Sequence, residues 1–251
     1  MQRLSGCCAI NLASDDAGIL CVVAPAMTPM TPAHQAPSLS VSHRELEQLE
    51  RDSTRLYLVR HGELTTSRAW RYVGHSDVDL TEEGIAQIQR VAQYLRHEPI
   101  DVMFCSDLQR TLHSAQIIGQ VINKEPHPEP AFRELHLGTW EGLTRDEIIE
   151  RFPGAFEERS RAIATYRIEG GESFKDLQDR VMQRLTALLE HNRGRSILLV
   201  AHGGVNRVII CHALGLALEH LARIDQAYGC LNRIDYFNQN PVVRLLNYVP
   251  A

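Results

Sequence analysis

Two hydrophobic periodicities alternate along most of this chain. Short apolar runs bounded by polar turns read as strands buried on both faces. Between them, apolar residues recur three and four positions apart, which marks amphipathic helices packed on one side. The first run, Leu56-Tyr57-Leu58-Val59, stops abruptly at Arg60-His61-Gly62. Thr81 then has the form of a helix N-cap, with Glu82 and Glu83 favouring the first turn and Ile85, Ile88, Ala92 and Leu95 at helical spacing. Asp101 to Cys105 reads as a second strand. Asp107 to Ile122 reads as a second helix with Leu108, Leu112, Ala115 and Ile118 on one face and Asp107 as its cap. Thr144-Arg145-Asp146-Glu147 is a capping box. Ser173 caps a long helix whose apolar stripe is Leu177, Val181, Leu185 and Leu188. Ile197-Leu198-Leu199-Val200-Ala201 is the clearest buried strand, and His202-Gly203-Gly204 leads from it into an apolar helix ending near Leu214. Asn232 to Tyr248 reads as two further strands.

Strands alternating with helices imply an α/β fold: a three-layer α/β/α sandwich on a mostly parallel central sheet. Residues 54–251 form this domain. Residues 1–53 break the pattern and read as a flexible N-terminal extension. Residues 25–43 are rich in Pro, Thr, Ser, Ala and Met, and His43 to Arg51 has the composition of a short charged helix. The run Ala17 to Ala24 imitates the apolar part of a signal peptide, but it is short and Asp15 and Asp16 precede it where positive charge belongs. No run is long enough to span a bilayer as a helix.

Composition narrows the field modestly. The formal net charge of the 251 residues is -5, with no clustered basic surplus, which argues against a nucleic-acid partner. The six cysteines include no C-x-x-C pair and read as reduced thiols of a cytoplasmic protein. The expected partner is a small metabolite, with no nucleic acid and no membrane; a homodimer is compatible with the sequence.

The chemistry sits where strands end, because ligands of such sheets bind beyond the strands' carboxyl edge. Arg60-His61 follows the first strand, Ser106-Asp107 the second, and His202 the clearest one. Arg110 lies in the first turn of a helix starting at that edge, where the helix N-terminus favours an anion and a guanidinium adds planar donors. Glu134, in Arg133-Glu134-Leu135-His136-Leu137-Gly138-Thr139-Trp140-Glu141-Gly142, is a carboxyl group beside apolar residues that favour its protonated form. Glu141 rivals it, and Trp140 reads as packing beneath the site. Taken singly, each piece has a plainer reading: a solvated strand end, a surface arginine, a loop ion pair between Arg133 and Glu134. His75, His113 and His136 read as structural or exposed. Together, two arginines, two histidines and one glutamate suit phosphoryl transfer. The arginines neutralise phosphate oxygens, one neutral histidine attacks phosphorus, and the carboxylic acid protonates the leaving oxygen. No cofactor and no metal is called for, since the cations are side chains.

In this order the motifs resemble the histidine phosphatase superfamily, also called phosphoglycerate-mutase-like, from about Arg55 to about Asn247. Gly170-Gly171-Glu172-Ser173 and Leu80-Thr81-x-x-Gly84 fit the same family. The resemblance implies that His61 is the phosphorylated nucleophile, Arg60 and Arg110 phosphate ligands, Glu134 the general acid/base, and His202 a catalytic histidine that also binds phosphate. One departure stands out. The family often has Thr after the motif glutamate and Asn three positions further; here these are Leu64 and Ser67. Ser67 is then the candidate phosphate ligand, with Thr65 and Thr66 as alternatives. Mutases of the family resemble one another in a long insertion before the Gly-Gly-Glu-Ser block, and here Leu143 to Glu169 is short. The expectation is a phosphomonoester hydrolase of the alpha-ribazole phosphatase type. Its substrate would be alpha-ribazole phosphate, a sugar phosphate or phosphoglycerate. A cofactor-dependent mutase is the alternative, and a non-catalytic phosphate-binding relative a remoter one.

Overall fold

The computed structural model describes residues 53–69, 71–238 and 240–251. The readings made for residues 1–52 lie outside the described residues. Six strands form one sheet in the order β3-β2-β4-β1-β5-β6. They are β1 Thr54–Arg60, β2 Val102–Cys105, β3 Pro126–Pro128, β4 Ser196–Ala201, β5 Leu231–Phe237 and β6 Asn240–Tyr248. The β1–β4, β4–β2 and β2–β3 pairs are parallel, whereas β5 and β6 add antiparallel edges. The larger helices are α1 Glu82–Leu95, α2 Gln109–Ile122, α5 Phe174–His191 and α6 Gly203–Leu214; two short ones, α3 Arg145–Arg151 and α4 Ala155–Arg161, lie between α2 and α5.

Burial explains the pattern of the strands. Every residue of β4 is buried, as a strand covered on both faces must be. Alternate residues of the central strands feed two apolar layers. Leu56, Leu58, Ile197 and Leu199 meet α5 and α6 through Val181, Leu185, Val205 and Ile209. Tyr57, Val59, Leu198 and Val200 meet α1 and α2 through Ile88, Leu95, Ala115 and Ile118. The helix starts follow their caps: Thr81 Oγ1 accepts from Gly84 N, and capping boxes close α3 at Thr144 and α5 at Ser173.

The cap expected of Asp107 is not found. Leu108 holds the N-cap position of α2 without a side-chain bond, and Asp77 accepts from Gln109 N instead. Asp107 is drawn away by Arg133, which grips it with Nε (2.7 Å) and Nη2 (2.5 Å). A fork of two charged bonds outcompetes a single cap bond, and it also removes Arg133 from pairing with Glu134.

Candidate active site

The strand order sets the site. β4 lies between β1 and β2, and Arg60 pairs with Ala201 in the β1–β4 ladder. The residues that follow them, His61 and His202, therefore leave neighbouring strands at the same height. His61 N donates to Ala201 O at 3.1 Å, and the two imidazole centroids stand 5.3 Å apart, edge to face. On the other side of β4, α2 delivers Arg110, whose Nε donates to Nδ1 of His202 at 3.2 Å. Gly62 lets the chain leave β1 against α1: a Cβ there would stand 2.2 Å from the carbonyl oxygen of Gly84.

Hydrogen bonds fix both tautomers. Nδ1 of His61 lies 2.8 Å from the carbonyl oxygen of Gly62. A carbonyl only accepts, so Nδ1 carries the proton and Nε2 keeps a lone pair. His202 is reversed: Arg110 Nε only donates, so Nδ1 accepts and Nε2 carries the proton. That Nε2–H is buried without a partner, as is Nε of Arg60. Unpaired buried donors are costly, and two of them in one pocket match an oxyanion. Both imidazoles are held neutral well below the usual histidine value. Burial is the main cause for each, followed by the charge of Arg110, with Arg60 also contributing.

The arginines are fixed before any ligand arrives. Arg110, 1% exposed, donates through Nη1 to Ser76 O (2.8 Å) and through Nη2 to Gly74 O (2.6 Å). Arg60 donates through Nη1 to Gln226 O and lies over the ring of Tyr228, with Cζ 3.8 Å from the centroid. Behind it, Gln226, Asn206 and Asn232 form a buried amide network that reaches Leu58 O. Glu134 faces α6: its Oε2 accepts from Gly204 N at 2.9 Å and its Oε1 from Leu135 N at 2.8 Å. A Cβ at Gly204 would meet Oε1 at 2.3 Å, so any side chain there displaces the carboxyl. Arg180 secures the loop bearing Glu134 by donating to the carbonyls of Ala131, Arg133 and Glu134 while pairing with Glu172.

Arg60, His61, Arg110, Glu134 and His202 are thus brought around one space. Ser67 stands one step back. Its Oγ accepts from Leu64 N and donates to the Tyr228 hydroxyl, each at 3.1 Å. Glu141 is engaged elsewhere, accepting from the backbone N–H groups of Gly74 and Ser76, the loop whose carbonyls hold Arg110. His75 bonds Glu134 O and packs on His136. Trp140 is buried among Tyr72, Phe156 and Tyr166. Sequence reading missed Tyr228, Gln226 and Arg207, the last of which approaches Gly203 beside Arg60. Among the described residues no group of three or more His, Cys, Asp or Glu side chains could hold a metal ion.

Residues 56–249 match the model of the histidine phosphatase superfamily, branch 1. The chain belongs to this family. Among curated histidine phosphatase relatives, the adenosylcobalamin/alpha-ribazole phosphatase of Salmonella typhimurium (strain LT2) is 30% identical over 198 residues, covering 77% of this chain and 96% of the relative. The protein named "Probable phosphoglycerate mutase GpmB" of Serratia proteamaculans is 34% identical over 186 residues, covering 74% and 86%. Among solved structures, the alpha-ribazole phosphatase of Shigella flexneri superposes with a TM-score of 0.72 at 27% identity, covering 77% of this chain and 96% of that one. The α/β layering expected from the strand–helix alternation is observed, and the fold is the histidine phosphatase fold that the motif resemblance implies.

Proposed function

We propose that this protein hydrolyses phosphomonoesters of small metabolites by passing the phosphoryl group through Nε2 of His61. The observation that carries the reading is the bond from His61 Nδ1 to Gly62 O, which leaves a neutral imidazole with its lone pair on Nε2. The chain is a phosphoric monoester hydrolase in this account. Nε2 attacks phosphorus while the ester P–O bond breaks, and Glu134 gives the departing alkoxide a proton. Water then attacks the phosphohistidine, Glu134 takes its proton, the P–N bond breaks and phosphate leaves. Arg60, Arg110 and Nε2–H of His202 hold the three non-bridging oxygens as charge shifts onto them, and their fixed orientation lowers the reorganisation needed. Ser67 supports phosphate binding. The reaction takes place in the cytoplasm, where the buried free thiols of Cys105, Cys211 and Cys230 stay reduced.

The leaving group we favour is the alcohol of alpha-ribazole phosphate, a sugar phosphate or phosphoglycerate. Hydrolysis is preferred over mutase chemistry because the segment between Gly142 and Gly170 sends Ile148, Ala164 and Ile168 into the core. Little of this short segment is then left to shield the phosphohistidine from water. With 3-phosphoglycerate as substrate, hydrolysis yields free phosphate, whereas a mutase yields 2-phosphoglycerate. His61→Ala should abolish turnover of p-nitrophenyl phosphate and remove acid-labile labelling while circular dichroism stays native. Near-normal turnover in that variant would overturn the assignment. Glu134→Gln should slow alkyl phosphates far more than p-nitrophenyl phosphate; equal loss on both would exclude Glu134 as the acid.

A further inference from the structure

We propose that the hydroxyl of Tyr228 is a phosphate ligand of this site, positioned by Ser67, and that the two together replace a side-chain amide donor. The inference deepens the phosphatase reading and rests on it. It begins from the departure at position 67, where a short hydroxyl stands in place of an amide. The Ser67 hydroxyl is already engaged: Leu64 N donates to its Oγ, and its own proton goes to the Tyr228 oxygen at 3.1 Å. A phenol oxygen that accepts this bond keeps its own O–H to donate.

The ring stands where that donor is useful. It lies 5.6 Å from the imidazole of His61, centroid to centroid, and its face supports the guanidinium of Arg60 at 3.8 Å. Tyr228 is half-buried, so its ring is not sealed in the core. The segment holding it is tied down on both sides. Gly229 N donates to His61 O, and Ala227 N donates to the side chain of Asn247. The relay Leu64 N–H, Ser67 O–H, Tyr228 O–H thus ends in a donor beside the nucleophile.

The test uses the full chain, with inorganic phosphate as a competitive inhibitor of p-nitrophenyl phosphate hydrolysis. Tyr228→Phe keeps the ring under Arg60 and deletes only the hydroxyl. Loss of a hydrogen bond to a charged group predicts a roughly tenfold rise in both the phosphate inhibition constant and KM, with kcat nearly unchanged. Ser67→Ala should move both in the same direction by less. The double variant should be no worse than Tyr228→Phe, because Ser67 acts through the hydroxyl already removed. An unchanged phosphate inhibition constant in Tyr228→Phe would overturn the proposal, and full additivity in the double variant would overturn the role of Ser67. Either failure is distinct from failure of the phosphatase reading, in which the wild-type protein itself would release no phosphate.

Discussion

Lowering the pH from 7.5 to 5.5 should destabilise this protein through two residues of its site. His61 and His202 are buried and neutral, pushed well below 6.5 by burial and by the neighbouring guanidinium groups. In the unfolded chain both rings titrate near ~6.5. Below that value the unfolded state binds two protons that the folded state refuses, so stability falls as pH falls. Each ring contributes about 1.4 kcal/mol per pH unit, or about 3 kcal/mol for the pair at pH 5.5. The window lies above the range where the depressed carboxyl groups of Asp107, Asp176 and Asp235 begin to protonate. Urea denaturation at the two pH values measures the effect. With a slope of roughly 2.5 kcal/mol per M, the midpoint should drop by about 1 M. The same experiment on His61→Gln/His202→Gln isolates the pair from the other histidines, including His75, which burial also depresses. The variant should lose most of the pH-dependent drop. A wild-type midpoint that does not move, or a variant that falls as far, would refute the reasoning.

Three further outcomes follow from the packing. Gly204→Ala places a methyl group 2.3 Å from Glu134 Oε1, so the carboxyl must shift; kcat/KM with an alkyl phosphate should fall about 100-fold with little change in thermal midpoint. Arg180→Met removes the guanidinium shared by Glu172 and the carbonyls of Ala131, Arg133 and Glu134, leaving Glu172 only His136 N and the Glu134 carbonyl only His75, and should cost about 3 kcal/mol in urea unfolding together with a fall in kcat. Thr144→Ala removes the capping box of α3 and should lower stability by about 1 kcal/mol, leaving the phosphate inhibition constant unchanged.

The elements legible in the sequence were those whose physics is local or strongly periodic. β1 and β4 stand out because both faces are buried, α1 and α5 because a cap precedes an apolar stripe, and α3 by its capping box alone. β3 was missed. It is three residues long, largely exposed and bears two prolines, and only its pairing with Met103, Phe104 and Cys105 of β2 makes it a strand. Asp107 was read as a cap because a nearby Ser-Asp before a helix fits the local rule; its real partner, Arg133, is 26 positions away. The same limit applies at the site. Arg60 ends a conspicuous strand and His61 and His202 follow two, so their position could be read from the chain. Tyr228 could not, since it sits in a stretch without periodicity between Arg223 and Leu231. Its importance comes from contacts to residues 60 and 67, far away in sequence. Ser67 stands out in the sequence as a departure from the family pattern, but its bond to Tyr228, 161 positions away, does not.

The Arg60–Ala201 register carries a consequence for how this protein fails. The spacing of the two imidazoles is inherited from the gap between adjacent strands in the middle of the sheet. No loop has to close to create it, and none can relax to spoil it while the ladder stands. Glu134 and Tyr228 enjoy no such guarantee, being held from loops by Arg180 and by the residues around Asn247. Under rising temperature, catalysis should therefore fade in two stages. On the roles proposed above, proton delivery by Glu134 and the share of phosphate affinity due to Tyr228 should soften first, and the capacity of His61 to become labelled should persist until the sheet itself melts.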